Sequence, residues 1–123
     1  MTRSKRLRIL AEIYATVPDA GCKGLCWEFC TSVPVFPLEL EQLEEKAGRK
    51  LKTFPIGGAT LTGPPGAPCP YLVLRRCTVY EVRPLICRVF GAAEGLPCPH
   101  GCAPTRKISD ESVQVMVTRA ETL

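Results

Sequence analysis

The sequence predicts a small α+β fold: a loop-rich, metal-stapled single domain with short helices and few short strands. Three observations lead there. The chain has 123 residues, a size at which folding buries only about two-thirds of the surface the unfolded chain exposes, so the core is thin. Twelve prolines and ten glycines keep regular elements short. Eight cysteines fall into three clusters separated by cysteine-free chain: Cys22, Cys26 and Cys30; Cys69, Cys77 and Cys87; Cys98 and Cys102. They supply the cross-links a thin core needs. The expected organisation is one domain over 1–123, with an N-terminal amphipathic helix over 1–18, a cysteine-cluster core over 20–102 and a helical tail over 103–123.

The elements follow in order. Leu7, Leu10, Ala11, Tyr14 and Val17 recur at helical spacing among charged residues, which predicts a helix over 4–17, ended before Pro18. Pro18-Asp-Ala-Gly21 is a turn leading to the first cysteines. After an extended Val33–Phe36, Pro37 suits a first helical position, Glu39 and Glu41 suit the positive end of the helix dipole, and Gly48 suits a left-handed C-cap, so 37–48 is a helix. The glycine- and proline-rich stretch from Phe54 to Pro70 reads as an ordered loop or flap. Tyr71 to Leu74 is a short apolar run suited to a strand. Pro84 opens a short helix with Cys87 on its first turn. Ser109, followed by Asp110 and Glu111, is an N-cap, and Val113, Met116, Val117 and Ala120 share a helical face. Trp27, Phe29, Tyr80 and Phe90 are expected in the core.

Cysteines in this number serve disulfides in an oxidising compartment or metal thiolates in a reducing one. Arg3, Lys5, Arg6 and Arg8 could open a secretory signal, but the RILAEIYATVPDA that follows is interrupted by Glu12 and lacks an apolar run. No stretch has the roughly 18 apolar residues of a membrane span. The expected location is cytoplasmic, away from membranes. A cysteine share of about 6–7% also lies below that of disulfide scaffolds, so metal is the favoured ligand. The net charge of +4 equals the excess carried by the basic start alone. That start reads as a solvated helix end, and nucleic acid is an unlikely partner.

Thiolates select soft or borderline metals, and about four are needed close together. All eight cysteines, Cys22, Cys26, Cys30, Cys69, Cys77, Cys87, Cys98 and Cys102, are candidate metal ligands. The cofactor is zinc or an iron–sulfur cluster. On a straight helix, Cys22, Cys26 and Cys30 would spread about 12 Å along the axis. Sulfurs on one tetrahedral zinc lie less than about 4 Å apart, so a straight helix cannot bring all three to one ion. Paired C-x2-C knuckles are absent. The turn Cys98-Pro-His-Gly-Cys102 offers two thiolates, with His100 as a further candidate. The C-x3-C-x3-C run is one residue too long for the radical S-adenosylmethionine loop, and the chain is too short for that barrel. Arg83 and Arg88, beside Cys77 and Cys87 in sequence, are candidates to offset the negative charge of a thiolate centre and to hydrogen-bond its sulfurs.

The stretch GAPCPYLVLRRCTVYEVRPLICRVFG resembles the signature of the YkgJ-type cysteine-cluster family of zinc- or iron-chelating domains. Cys69, Cys77, Tyr80, Arg83, Pro84, Cys87, Arg88 and Phe90 fall on its second half. Cys22, Cys26, Cys30 and the Val33–Ala47 stretch echo its first half, although that half commonly reads C-x2-C-x2-C-C and this chain has Thr31 after Cys30. The resemblance covers about 20–102 and implies a metal-binding domain with zinc or iron–sulfur as the candidates, without implying a reaction.

The leading expectation is therefore a metal-binding cysteine-cluster protein whose thiolates hold a centre that organises the fold. One alternative is an iron–sulfur redox or methyl-transfer accessory enzyme. Another is an adaptor that binds nucleic acid or protein through the basic start. No serine nucleophile with a base, phosphate-binding glycine loop or dependable carboxylate pair is visible.

Overall fold

The computed structural model describes residues 1–21, 30–50 and 52–123. Expectations for Cys22, Cys26, Trp27 and Phe29 lie outside the described residues. The chain divides into two compact units, Met1–Lys23 with Arg88–Leu123, and Gly24–Cys87.

In the first unit, helix α1 (Arg3–Ala15) is capped by the Thr2 hydroxyl, which accepts from the Lys5 N–H. Its buried residues are Leu10 and Ile13; Ala11, assigned to the inner face by spacing, is exposed. Arg6 is no free basic arm. It is half-buried, and its Nη1 donates to the Leu123 carbonyl at 3.2 Å. That carbonyl lies just past α4 (Asp110–Glu121), the tail helix, which starts where expected: the Ser109 hydroxyl accepts from the Ser112 N–H, and Asp110 and Glu111 fill the first turn. α1 and α4 touch, and α4 buries Met116 and Ala120. Val89, Ala92 and Ala93 are also buried. Ala93 bridges Ile108 in parallel, with Glu94 N–H donating to the Ile108 carbonyl and Ile108 N–H to that of Ala92.

The second unit holds a three-stranded antiparallel sheet in the order β1-β3-β2, made of β1 (Pro34–Val35), β2 (Phe54–Ile56) and β3 (Ala59–Leu61). The expected flap therefore begins as a hairpin. Gly57 and Gly58, at φ 56° and 83°, form the two-residue turn whose positive φ values match strand twist. Helix α2 (Pro37–Ala47) has Pro37 in its first turn and Gly48 at φ 71° as C-cap, as the sequence indicates. Val35, Leu43, Tyr71 and Val79 form the core cluster, and Cys69 and Cys77 pack against it. A second hairpin pairs β4 (Leu72–Val73) with β5 (Arg76–Cys77). A single 3-10 turn over Tyr80–Val82 then leads to α3 (Leu85–Val89), within which the unit boundary falls.

Two aromatic expectations are corrected. Tyr80 is 45% exposed and Phe90 37%. Tyr80 carries the Arg83 guanidinium over its ring at 3.9 Å, an arrangement that keeps the cation near water. Among the described residues the large buried aromatic is Tyr71, 1% exposed. Among the described residues no helix is long and apolar enough to cross a membrane.

Candidate metal centre

Of the candidate ligands among the described residues, Cys30, Cys69, Cys77 and Cys87 belong to the second unit and Cys98 and Cys102 to the first. The pairing of Cys30 with Cys69 is a consequence of backbone register. Thr31 and Pro68 form an antiparallel bridge, with Cys69 N–H donating to the Cys30 carbonyl and Ser32 N–H to the Ala67 carbonyl, both at 2.9 Å. Pro68 sits where the ladder asks for no N–H, so proline is tolerated there. The same pairing sets Cys30 directly opposite Cys69, with both side chains on one face.

The two sulfurs are in hydrogen-bonding contact. Cys69 is held down at about 6, first by the Cys30 thiol donating to it and then by the N–H groups of Tyr71 and Leu72, against the opposing effect of burial. Cys30 is pushed far up, because its proton is shared with Cys69, because it is buried, and because Cys69, Cys87 and Cys77 act on it as like charges. The pair is best described as one thiol and one thiolate sharing a proton.

Cys77 ends β5 opposite Leu72. Burial raises its pKa; the Val79 N–H and Arg83 act the other way. Cys87 lies on the first turn of α3, where its N–H reaches the Pro84 carbonyl at 3.0 Å. Burial pushes its thiol up to about 12, with Cys69, Cys77 and Glu39 adding to the rise and Arg83 opposing it. Each sulfur thus stands in the field of the others. Among the described residues, however, no three His, Cys, Asp or Glu side chains already form a closed ligand set.

Sequence reasoning missed the residue that places α3. Glu39, read as a helix-dipole partner, is 1% exposed. One carboxylate oxygen accepts from the Phe36 N–H at 3.1 Å, closing the N-terminus of α2, and the other accepts from the Leu85 N–H at 2.6 Å, closing that of α3. The Glu three residues after the cap position is the half of a capping box visible in sequence; its second bond joins residues 46 apart in the chain, which no local pattern reveals.

Arg83 stacks on Tyr80, donates to its carbonyl at 3.2 Å, and favours the thiolate forms of Cys77 and Cys87. Arg88 lies over the Tyr14 ring at 3.8 Å, inside the first unit. His100 is exposed.

A family model for CxxCxxCC, described as a putative zinc- or iron-chelating domain, matches residues 21–115. The chain belongs to this family. Zinc or iron is accordingly its cofactor class, and metal binding through a cysteine-rich domain its general property. No curated protein and no solved structure is similar enough to this chain to register as a match.

Proposed function

We propose that Cys30, Cys69, Cys77 and Cys87 hold one metal ion as a tetrathiolate, and that this ion fastens the short elements of the second unit to one another. The observation that carries the reading is the strand register that sets Cys30 opposite Cys69, the Cys69 N–H donating to the Cys30 carbonyl at 2.9 Å. Thiolates on a single tetrahedral ion lie less than about 4 Å apart. A cubane cluster places each thiolate on a different iron, with wider spacing. Cysteines placed side by side on paired strands therefore favour a mononuclear site, and zinc suits four thiolates.

The N–H groups of Tyr71 and Leu72 favour the Cys69 thiolate and that of Val79 the Cys77 thiolate, which supports the same reading, since hydrogen bonds to coordinated thiolates temper their charge. Zinc with four thiolates carries a net charge of −2, and Arg83 opposes part of it. Binding draws Cys77 and Cys87 in on the Cys30–Cys69 pair and releases their protons. In a unit made of two- and three-residue strands, the free energy of binding is then largely free energy of folding.

Elemental analysis and a visible spectrum of anaerobically purified protein test this. One zinc per chain without colour, lost on Cys77→Ser or Cys87→Ser and retained on His100→Ala, is the expected result. Several irons per chain with a broad band near roughly 400 nm would refute the mononuclear centre. Full metal content in both serine variants would refute the ligand set.

A further inference from the structure

Helix α4 presents two faces. Val113, Met116, Val117 and Ala120 line the inner one, with Met116 and Ala120 buried. Glu111, Gln114, Val115, Thr118 and Arg119 line the outer one, which forms a shallow, mostly apolar depression. All five are exposed. Val115, at 60% exposure, is the apolar centre of this face. Being β-branched, it is a weaker helix former than alanine or lysine. Turned to solvent, it adds neither packing nor propensity to α4.

Val115 stands four residues after Glu111 and four before Arg119, about 6 Å along the helix axis from each. The row is thus symmetric in spacing and opposite in charge at its two ends. Glu111 and Arg119 lie about 12 Å apart along the axis, too far to pair with each other, and among the described residues neither is ion-paired. Such a row is complementary to a copy of itself turned through 180°. We propose that the outer face of α4 docks on the same face of a second copy of this chain, with the two helices antiparallel about a two-fold axis at Val115. The inference concerns a face of the first unit and does not rest on the metal reading.

In that arrangement Val115 meets its own symmetry mate, and Glu111 of each copy meets Arg119 of the other, as an isologous contact requires. Residues four apart form a ridge, and ridges of this kind from two helices interlock at a crossing angle of about −50°, the commonest class in globular proteins. Parallel helices would instead set Glu111 against Glu111 and Arg119 against Arg119, so charge selects the antiparallel pair. A helix of 12 residues is about 18 Å long. The face is therefore small, and the dimer belongs with the weak, reversible contacts that bury less than about 1,200 Å².

The test is sedimentation equilibrium of the full-length, metal-loaded protein in reducing buffer, over about 10 μM to 1 mM, a range that captures weak contacts. The expected result is a reversible equilibrium between monomer and dimer. Glu111→Arg and Arg119→Glu each turn two attractive pairs into two repulsive ones, and each should weaken the dimer at least about tenfold. An equimolar mixture of the two variants should dimerise again, because each supplies the charge the other lacks. Both positions are exposed, so helical circular dichroism should match wild type. The wild-type equilibrium needs no variant to fold: a chain that stays monomeric up to about 1 mM would overturn the proposal. A dimer that survives both charge reversals would overturn it too, as would variants that mixing does not restore.

Discussion

Glu39→Gln removes one negative charge from the interior and leaves the side-chain shape almost unchanged. In the native structure the carboxylate satisfies two backbone N–H groups, of Phe36 at 3.1 Å and Leu85 at 2.6 Å. A hydrogen bond to a charged acceptor contributes about 1.5–3 kcal/mol, and a buried donor left without a partner costs about 1–3 kcal/mol. Glutamine keeps one carbonyl oxygen, so one N–H retains a weaker, neutral bond while the other faces the new NH2 group. Relief from carboxylate desolvation offsets part of the loss. The net expectation is about 2–4 kcal/mol, a sizeable share of the 5–15 kcal/mol typical of a whole domain. With a urea slope of about 1–3 kcal/mol/M, the unfolding midpoint should fall by about 1–2 M. Because the freed N–H opens α3, metal affinity should weaken as well, although Glu39 carries no sulfur. Circular dichroism during urea titration, paired with competition against a zinc chelator, reads both effects. A midpoint within about 0.3 M of wild type would refute the argument that Glu39 anchors α3.

Metal-free protein should gain stability as pH rises from about 6 to 9, because Cys69, lowered to about 6 from the usual 9.0, contributes fully above the unfolded value and loses that contribution as pH falls through 6. It should lose stability between 9 and about 12, where the raised pKa of Cys87 gives the opposite sign; thermal melts across this range should peak near pH 9. The Tyr71 hydroxyl is buried with no hydrogen-bond partner among the described residues, so Tyr71→Phe should be neutral or stabilising by about 1 kcal/mol, and a loss of more than about 1 kcal/mol in urea would show that the hydroxyl has a partner. Leu74 and Arg75 turn the β4–β5 hairpin at φ 49° and 65°, a conformation that costs most L-residues about 1–2 kcal/mol each. Leu74→Asn with Arg75→Gly should raise the melting temperature by several degrees, and an unchanged or lower one would contradict the strain.

The legible parts of this fold were those in which a residue's backbone chemistry alone decides. Pro37 and Gly48 bracket α2, Ser109 starts α4, and Pro84 delivers Cys87 to the first turn of α3, because ring constraint, left-handed tolerance and side-chain capping act over one or two residues. The β2–β3 hairpin was legible in principle: Gly57-Gly58 between two short apolar runs is a turn signal, masked by the prolines around it. The β4–β5 turn was not legible, since Leu74 and Arg75 are poor residues for positive φ and only tertiary context imposes it. α1 shows a subtler miss, with Ile13 buried in place of Ala11, because period alone does not fix the centre of a helix face. Clustering pointed to sulfur chemistry, but the grouping of Cys30 with Cys69, Cys77 and Cys87 depends on residues up to 57 positions apart in the chain, Cys87 acting on Cys30 as a like charge.

The pairing of Thr31 with Pro68 also sets the tolerance of this chain to changes in length. The enclosed segment, residues 32–67, enters and leaves that pairing at fixed points, so lengthening the Gly57-Gly58 turn would leave Cys30 facing Cys69. Each doubling of a flexible loop adds only about 0.6 kcal/mol of closure entropy. A single residue inserted between Cys30 and Ser32, or between Ala67 and Cys69, would instead turn one sulfur to the opposite face. Relatives are thus free to differ in length within the hairpin and barred from differing beside the cysteines, and a search template for this site should fix the two short flanks and leave the distance between them open.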